Sequence, residues 1–122
     1  MKNNYAVLIQ PGQSPEKISI SFGVKGLLEA FRTVEEFNKS YTMGKKVDTS
    51  VMQLTEKANL LYAEDGKKQR CPFNRSIGSQ SFYGTMLIIN LDKYDELDEM
   101  TEIEAHHFCY VLDRTNVPVT ML

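Results

Sequence analysis

Two periods of hydrophobicity alternate along this chain, and each change of period marks an element. Tyr5-Ala6-Val7-Leu8-Ile9-Gln10 is a short apolar run stopped by Pro11-Gly12. Its length and β-branched content predict a buried strand. Lys17-Ile18-Ser19-Ile20-Ser21-Phe22 alternates with a period of two, which sets Ile18, Ile20 and Phe22 on one face of a half-buried strand hairpinned to the first. From Val24 the period lengthens. Val24, Leu27, Leu28, Phe31, Val34 and Phe37 recur at spacings of three and four, opposite Glu29, Arg32, Glu35, Glu36 and Lys39, and so predict an amphipathic helix ending at Asn38-Lys39-Ser40. Gly26 falls in its first turn, where the cost of about 1 kcal/mol relative to Ala matters less.

Tyr41 to Asp48 reads as a connector. Val51-Met52-Gln53-Leu54 and Asn59-Leu60-Leu61-Tyr62-Ala63 then read as two short strands, with Glu56-Lys57-Ala58 extending or turning the chain between them. Asp65-Gly66 signals a tight turn, glycine supplying the positive φ. Phe82 to Leu91 is nearly continuous in apolar residues, as in a central strand covered on both faces. After an acidic loop, Thr101-Glu102-Ile103-Glu104 has the form of a capping box, opening a helix from about Glu102 to Asp113 with Ala105, Phe108, Cys109 and Leu112 buried. Asn116-Val117-Pro118-Val119 is suited to an edge strand, since Pro cannot donate to a ladder. The expectation is an α+β fold over residues 1–122 as a single domain, a mixed sheet of about five strands packed against two helices.

Composition narrows function mainly by exclusion. A net charge of -2 and a pI near 5.7 give no whole-surface attraction to nucleic acid or anionic membrane, so any anion site must be local. No apolar run approaches the ~20 residues of a membrane span, and no leader-like segment is seen, which predicts a soluble protein of the cytoplasm. Cys71 and Cys109 are expected to be reduced. Cys71, beside Arg70, would need a lowered pKa and a nearby base to act as a nucleophile. Neither a Gly-x-Ser-x-Gly elbow nor a Walker loop occurs, Met43-Gly44-Lys45-Lys46 lacking the upstream glycine. His106 and His107, being adjacent on a helix, diverge by ~100° and cannot share a metal, so one is expected at the surface and one against the sheet. No cofactor or metal is expected.

Positive charge concentrates in one stretch, where Lys67, Lys68, Arg70 and Arg75 fall within nine residues around a Pro72 bend. Arginine's planar fork suits phosphate or carboxylate, and backbone amides near glycines can add to such a site. The alternative is a solvated turn. For Arg75 two readings stand side by side: ligand contact, or a structural salt bridge to the acidic segment Asp92 to Glu104. That segment suits a solvated face and a helix N-terminus better than a metal site, since it lacks the spacing of a calcium loop.

Asp65-Gly66, Pro72-x-Asn74-Arg75, Gly84-Thr85 and the acidic run into Thr101 together resemble an uncharacterised family of bacteriophages and mobile elements, domain of unknown function thirty-eight forty-six. Members are similar in order: a strand ending in Pro-Gly, a Leu-rich helix, a strand pair, Pro-x-Asn-Arg, a Gly-Thr strand and a closing helix. The chain departs from the family in having no Gly-Gly pair between Thr33 and Met43. The resemblance implies a phage or mobile-element origin, hence a place in the host bacterial cytoplasm, and no established activity. Small phage domains commonly act by stoichiometric binding, so the expected function is sequestration of an anionic, nucleotide-like small molecule in counter-defence. The expected site is Lys67, Lys68, Arg70, Asn74, Arg75, Gly84 and Thr85, with Phe73, Phe82 or Tyr83 stacking on a base. A homo-oligomer is expected, because a subunit interface encloses a pocket most easily. Two alternatives are an inhibitor that binds a host defence protein through an acidic, nucleic-acid-mimicking face, and an enzyme acting on a nucleotide.

Overall fold

Strand β7, Met86–Leu91, lies at the middle of the main sheet, as its unbroken apolar run demands. The structure, a computed structural model, describes residues 2–122. β1 (Asn4–Ile9) pairs antiparallel with one side of β7 and β4 (Ala58–Ala63) with the other. β2 (Glu16–Ile20) and β3 (Thr49–Gln53) complete the order β2-β1-β7-β4-β3, and the short β8 (Leu97–Asp98) adds to the end of β7. The hairpin β1-β2 follows the sequence expectation, and of the two readings left open for Glu56-Lys57-Ala58 the chain turns before Ala58 to pair β3 with β4, Thr55 Oγ1 accepting the Ala58 amide.

Alternate residues of the central strands feed two cores. Leu8, Leu61, Leu87 and Ile89 face α1 (Gly23–Tyr41), whereas Val7, Leu60, Met86 and Ile88 face α2 (Glu102–Val111) and a second sheet. That smaller sheet has the order β6-β5-β9, from β5 (Phe73–Ile77), β6 (Gln80–Tyr83) and β9 (Asn116–Val117), with β9 parallel to β5. A 3₁₀ turn over Val119–Met121 follows it. The fold is α+β, with more strands than the five expected.

Three differences from the sequence reading have clear causes. First, Phe82 to Leu91 is not one strand. Gly84, at φ +93°, breaks the run so that Phe82 belongs to the small sheet and Met86 onward to the large one. Second, the buried stripe of α1 is rotated from the expected one: Gly26, Ala30, Val34 and Asn38 are buried while Val24 and Leu28 face solvent. Gly26 sets this rotation. A Cβ there would overlap the Ser21 carbonyl and sit 2.7 Å from Leu97 Cδ2, so the helix approaches the sheet through a glycine rather than through its larger residues. Third, both His106 and His107 are exposed, because the stripe of α2 runs through Ala105, Phe108 and Val111. The capping box is formed as expected, Thr101 Oγ1 accepting the Glu104 amide at 3.2 Å and Glu104 Oε1 accepting the Thr101 amide at 3.1 Å. No helix among the described residues is long and apolar enough to cross a membrane.

Candidate functional site

Strand β5, which the sequence reading treated as loop, decides the fate of Pro72-x-Asn-Arg. Its pairing with β6 shifts register between Phe73 and Arg75, leaving Asn74 as the extra residue of a bulge. A bulge breaks the alternation of a strand, and here Asn74 and Arg75 both turn inward although they are adjacent. Asn74 Nδ2 donates to the Ile9 carbonyl at 2.9 Å and to the Gly84 carbonyl at 2.7 Å. Its Oδ1 accepts from Arg75 Nε at 2.8 Å. The Arg75 guanidinium, only 4% exposed, donates onward to the carbonyls of Leu112 and, at 2.8 Å, Gln13.

This pair is a clamp. It fastens the small sheet to β1, to the β1-β2 turn and to the C-terminus of α2, where the helix's unpaired carbonyl end favours a cation. Burial pulls the Arg75 pKa below its usual value, opposed by the nearby Asp113 carboxylate. The acidic segment supplies no ion pair to it. Asp98 pairs with Lys57 at 3.3 Å, Glu99 with Lys2 at 3.4 Å and Glu102 with Lys17 at 3.3 Å, so these carboxylates brace the scaffold instead.

Gly84 and Thr85 are also internal. Asn38 Oδ1 accepts the Thr85 amide at 2.8 Å and its Nδ2 donates to the Thr85 carbonyl at 3.1 Å, while the hydroxyls of Tyr41 and Thr85 lie 3.0 Å apart. Phe82 is buried edge-on against Tyr62, with 5.1 Å between ring centroids, and so is not free to stack on a ligand. Phe73 is partly exposed and meets Tyr83 edge-on at 5.5 Å, with Lys67 Nζ 5.8 Å from the Tyr83 ring. Cys71 is buried and free, and burial raises its thiol pKa, the opposite of what a nucleophile beside Arg70 requires.

Lys68 and Arg70, by contrast, face solvent across a groove. Residues 65–71 form a compact helical turn closed by Cys71 N to the Gly66 carbonyl (2.9 Å) and Arg70 N to the Lys67 carbonyl (3.1 Å). This is the Schellman pattern, in which the last residue takes a left-handed conformation and is usually glycine. Here it is Arg70, at φ +66°. Gly66 is needed for a different reason than its turn signal suggested. Asp65 carries the positive φ, and a Cβ on Gly66 would come within 2.5 Å of the Tyr83 carbonyl oxygen.

The opposite wall is the end of α1. Thr42 Oγ1 donates within its own turn, and Met43, at φ +57°, extends almost wholly into solvent. Between the two walls lies a groove of about 480 Å³ lined by Tyr41, Thr42, Met43, Lys45, Lys68, Gln69 and Arg70. Three of these residues are cationic and none is acidic. Among the described residues Lys45, Lys68 and Arg70 make no ion pair. Lys45 went unnoticed as a site residue. The Lys45-Lys46 doublet was its only signal, and only the fold brings it opposite Lys68 and Arg70.

Comparison with known proteins identifies no relative: no family model, no curated protein and no solved structure matches this chain.

Proposed function

We propose that the groove between residues 41–45 and 68–70 binds a small anion of the nucleotide class, and that the chain acts by holding this ligand rather than by transforming it. The observation that carries this reading is the convergence of Lys45, Lys68 and Arg70 on one groove with no carboxylate in its lining. Unpaired cations facing each other repel at a cost that an anion relieves, and a planar guanidinium beside two ammonium groups suits a phosphate. A volume of ≈ 480 Å³ falls within the usual span of small-ligand sites. Left-handed backbone at Met43 and Arg70, on both walls, adds support, since non-glycine residues held there tend to mark functional positions.

Stoichiometric holding is favoured because the groove contains no nucleophile with a base beside it; its other side chains are a tyrosine, a threonine, a methionine and a glutamine. The counter-defence setting rests on the resemblance to the phage and mobile-element family. Isothermal calorimetry against cyclic and linear nucleotides tests the proposal, with Lys68→Glu/Arg70→Glu as the control. Wild type should bind at least one panel member with a micromolar Kd, the double variant should lose about 100-fold, two charge reversals being worth roughly 3 kcal/mol, and the ligand should be recovered chemically intact. Absence of binding at high micromolar concentration, or equal binding by the double variant, would refute it. Ligand turnover would favour the enzyme reading.

A further inference from the structure

The turn over residues 65–71 is a wall of two cavities. Its residues 68–70 border the cationic groove, whereas Asp65 and Lys67 border a second cavity of ≈ 340 Å³, lined also by Tyr62 of β4 and by Gln80, Phe82 and Tyr83 of β6. Lys67 and Lys68 are consecutive, with α-carbons about 3.8 Å apart, so the two cavities adjoin along the turn.

Aromatic rings and unpartnered polar groups meet in this second cavity. Tyr62 lies edge-on to the buried Phe82, with 5.1 Å between centroids, and Tyr83 lies edge-on to Phe73 at 5.5 Å, so neighbours hold both rings. Among the described residues the Tyr62 and Tyr83 hydroxyls make no hydrogen bond, unlike those of Tyr5 and Tyr41. The side chains of Asp65, Lys67 and Gln80 make none either, and neither charge is ion-paired. The cavity beside Arg75 is different: there Ser14 donates to Asp113, and Arg75 donates to the Gln13 carbonyl. Asp65 also holds left-handed backbone, at φ +56°, as Met43 and Arg70 do around the groove. Gly66 seats the turn too close to the Tyr83 carbonyl for a Cβ, which fixes the spacing between the turn and β6.

We propose that this second cavity takes the base of the nucleotide whose phosphates lie in the groove, and that it selects a base carrying an exocyclic amino group. This rests on the groove being the phosphate site. The rings of Tyr62 and Tyr83 offer a flat heterocycle aromatic faces and edges to pack on. Ionised Asp65 only accepts hydrogen bonds, so it suits the amino group of adenine, cytosine or guanine. Uracil offers no amino group, and its one edge N–H is flanked by carbonyl oxygens that a carboxylate repels. Gln80 both donates and accepts, and so can complete the pairing. Lys67 Nζ, 5.8 Å from the centre of the Tyr83 ring, extends the positive charge of Lys68 to the edge of this cavity.

Calorimetric titration with tripolyphosphate, ATP, CTP, GTP and UTP separates the two sites. At least one of ATP, CTP and GTP should bind about tenfold or more tighter than both tripolyphosphate and UTP. Tyr83→Ala should reduce that nucleotide to the affinity of tripolyphosphate and leave tripolyphosphate unaffected. Asp65→Asn keeps the side-chain shape and is at ease in left-handed backbone, so it should fold and narrow the preference over UTP, an arm that stays informative even if Tyr83→Ala folds poorly. Equal affinity for tripolyphosphate and all four nucleotides, equal weakening of tripolyphosphate by Tyr83→Ala, or undiminished discrimination against UTP in Asp65→Asn would overturn the base site and leave the groove standing. Tripolyphosphate binding that is absent, or indifferent to Lys68→Glu/Arg70→Glu, would overturn the groove and this proposal with it.

Discussion

Replacing Arg75 with methionine should unfold this protein more readily without touching its candidate anion site. Methionine keeps much of the side-chain volume but removes every donor. Asn74 Oδ1, which accepts from Arg75 Nε at 2.8 Å, and the carbonyl of Leu112 would both be left buried and without that partner. Each orphaned acceptor costs about 1–3 kcal/mol. The carbonyl of Gln13 lies nearer the surface and can be rehydrated, so it adds little. Against this, methionine avoids the cost of burying a guanidinium, which lowers the sum. A net loss of about 3 kcal/mol is expected, or roughly 10 °C in Tm for a chain of this size. Arg75→Lys should not rescue it, because a single ammonium cannot span Asn74, Leu112 and Gln13. Urea denaturation followed by far-UV circular dichroism gives the free energy, and calorimetric titration well below the midpoint gives ligand affinity. A loss under about 1 kcal/mol would refute the clamp. Loss of ligand affinity in a fully folded variant would return Arg75 to the binding site.

Two further outcomes follow from the geometry. Gly26→Ala should destabilise by about 2–4 kcal/mol despite the better helix propensity of alanine, since the added Cβ overlaps the Ser21 carbonyl and forces helix and sheet apart; a stabilised variant in urea titration would contradict this packing. Acid should weaken the fold through Glu29, Glu102 and Glu104. Glu29 is held below its usual range by hydrogen bonds from the Ser21 amide and hydroxyl, and Glu102 by Lys17. For Glu104 burial opposes the charged form, but hydrogen bonds from Thr101 and Asn90 outweigh it and the pKa is lowered. A depressed folded pKa gives stability that is complete above the unfolded value of 4.5 and is lost as pH falls through the folded one. Urea midpoints should therefore fall between neutral pH and pH values below 4.5, and Glu29→Gln/Glu104→Gln should flatten that decline; a slope equal to wild type would show these contacts to be inconsequential.

Local pattern decided much of the architecture. The run Met86 to Leu91 had to be buried on both faces, and it lies at the sheet's centre. The period-two stretch at Ile18 and Ile20 formed an outer strand, and the Thr101 to Glu104 spacing produced the capping box, because each depends on residues only a few positions apart. Other features depended on distant partners. Which face of α1 is buried turned on the fit of Gly26 against Ser21 and Leu97, whereas its own apolar residues suggested a neighbouring face. The bulge at Asn74 reversed the meaning of the basic stretch: a charge density visible in sequence became one buried clamp and three solvent-facing cations, of which Lys68 and Arg70 line the groove. Lys45 joined those cations only because α1 ends beside residues 68–70. Sequence by itself thus determined where apolar surface needed cover and where positive charge gathered. Tertiary structure alone decided which of those charges are consumed by backbone carbonyls and which face water, because a hydrogen bond between residues 37 or 65 positions apart leaves no periodic trace along the chain.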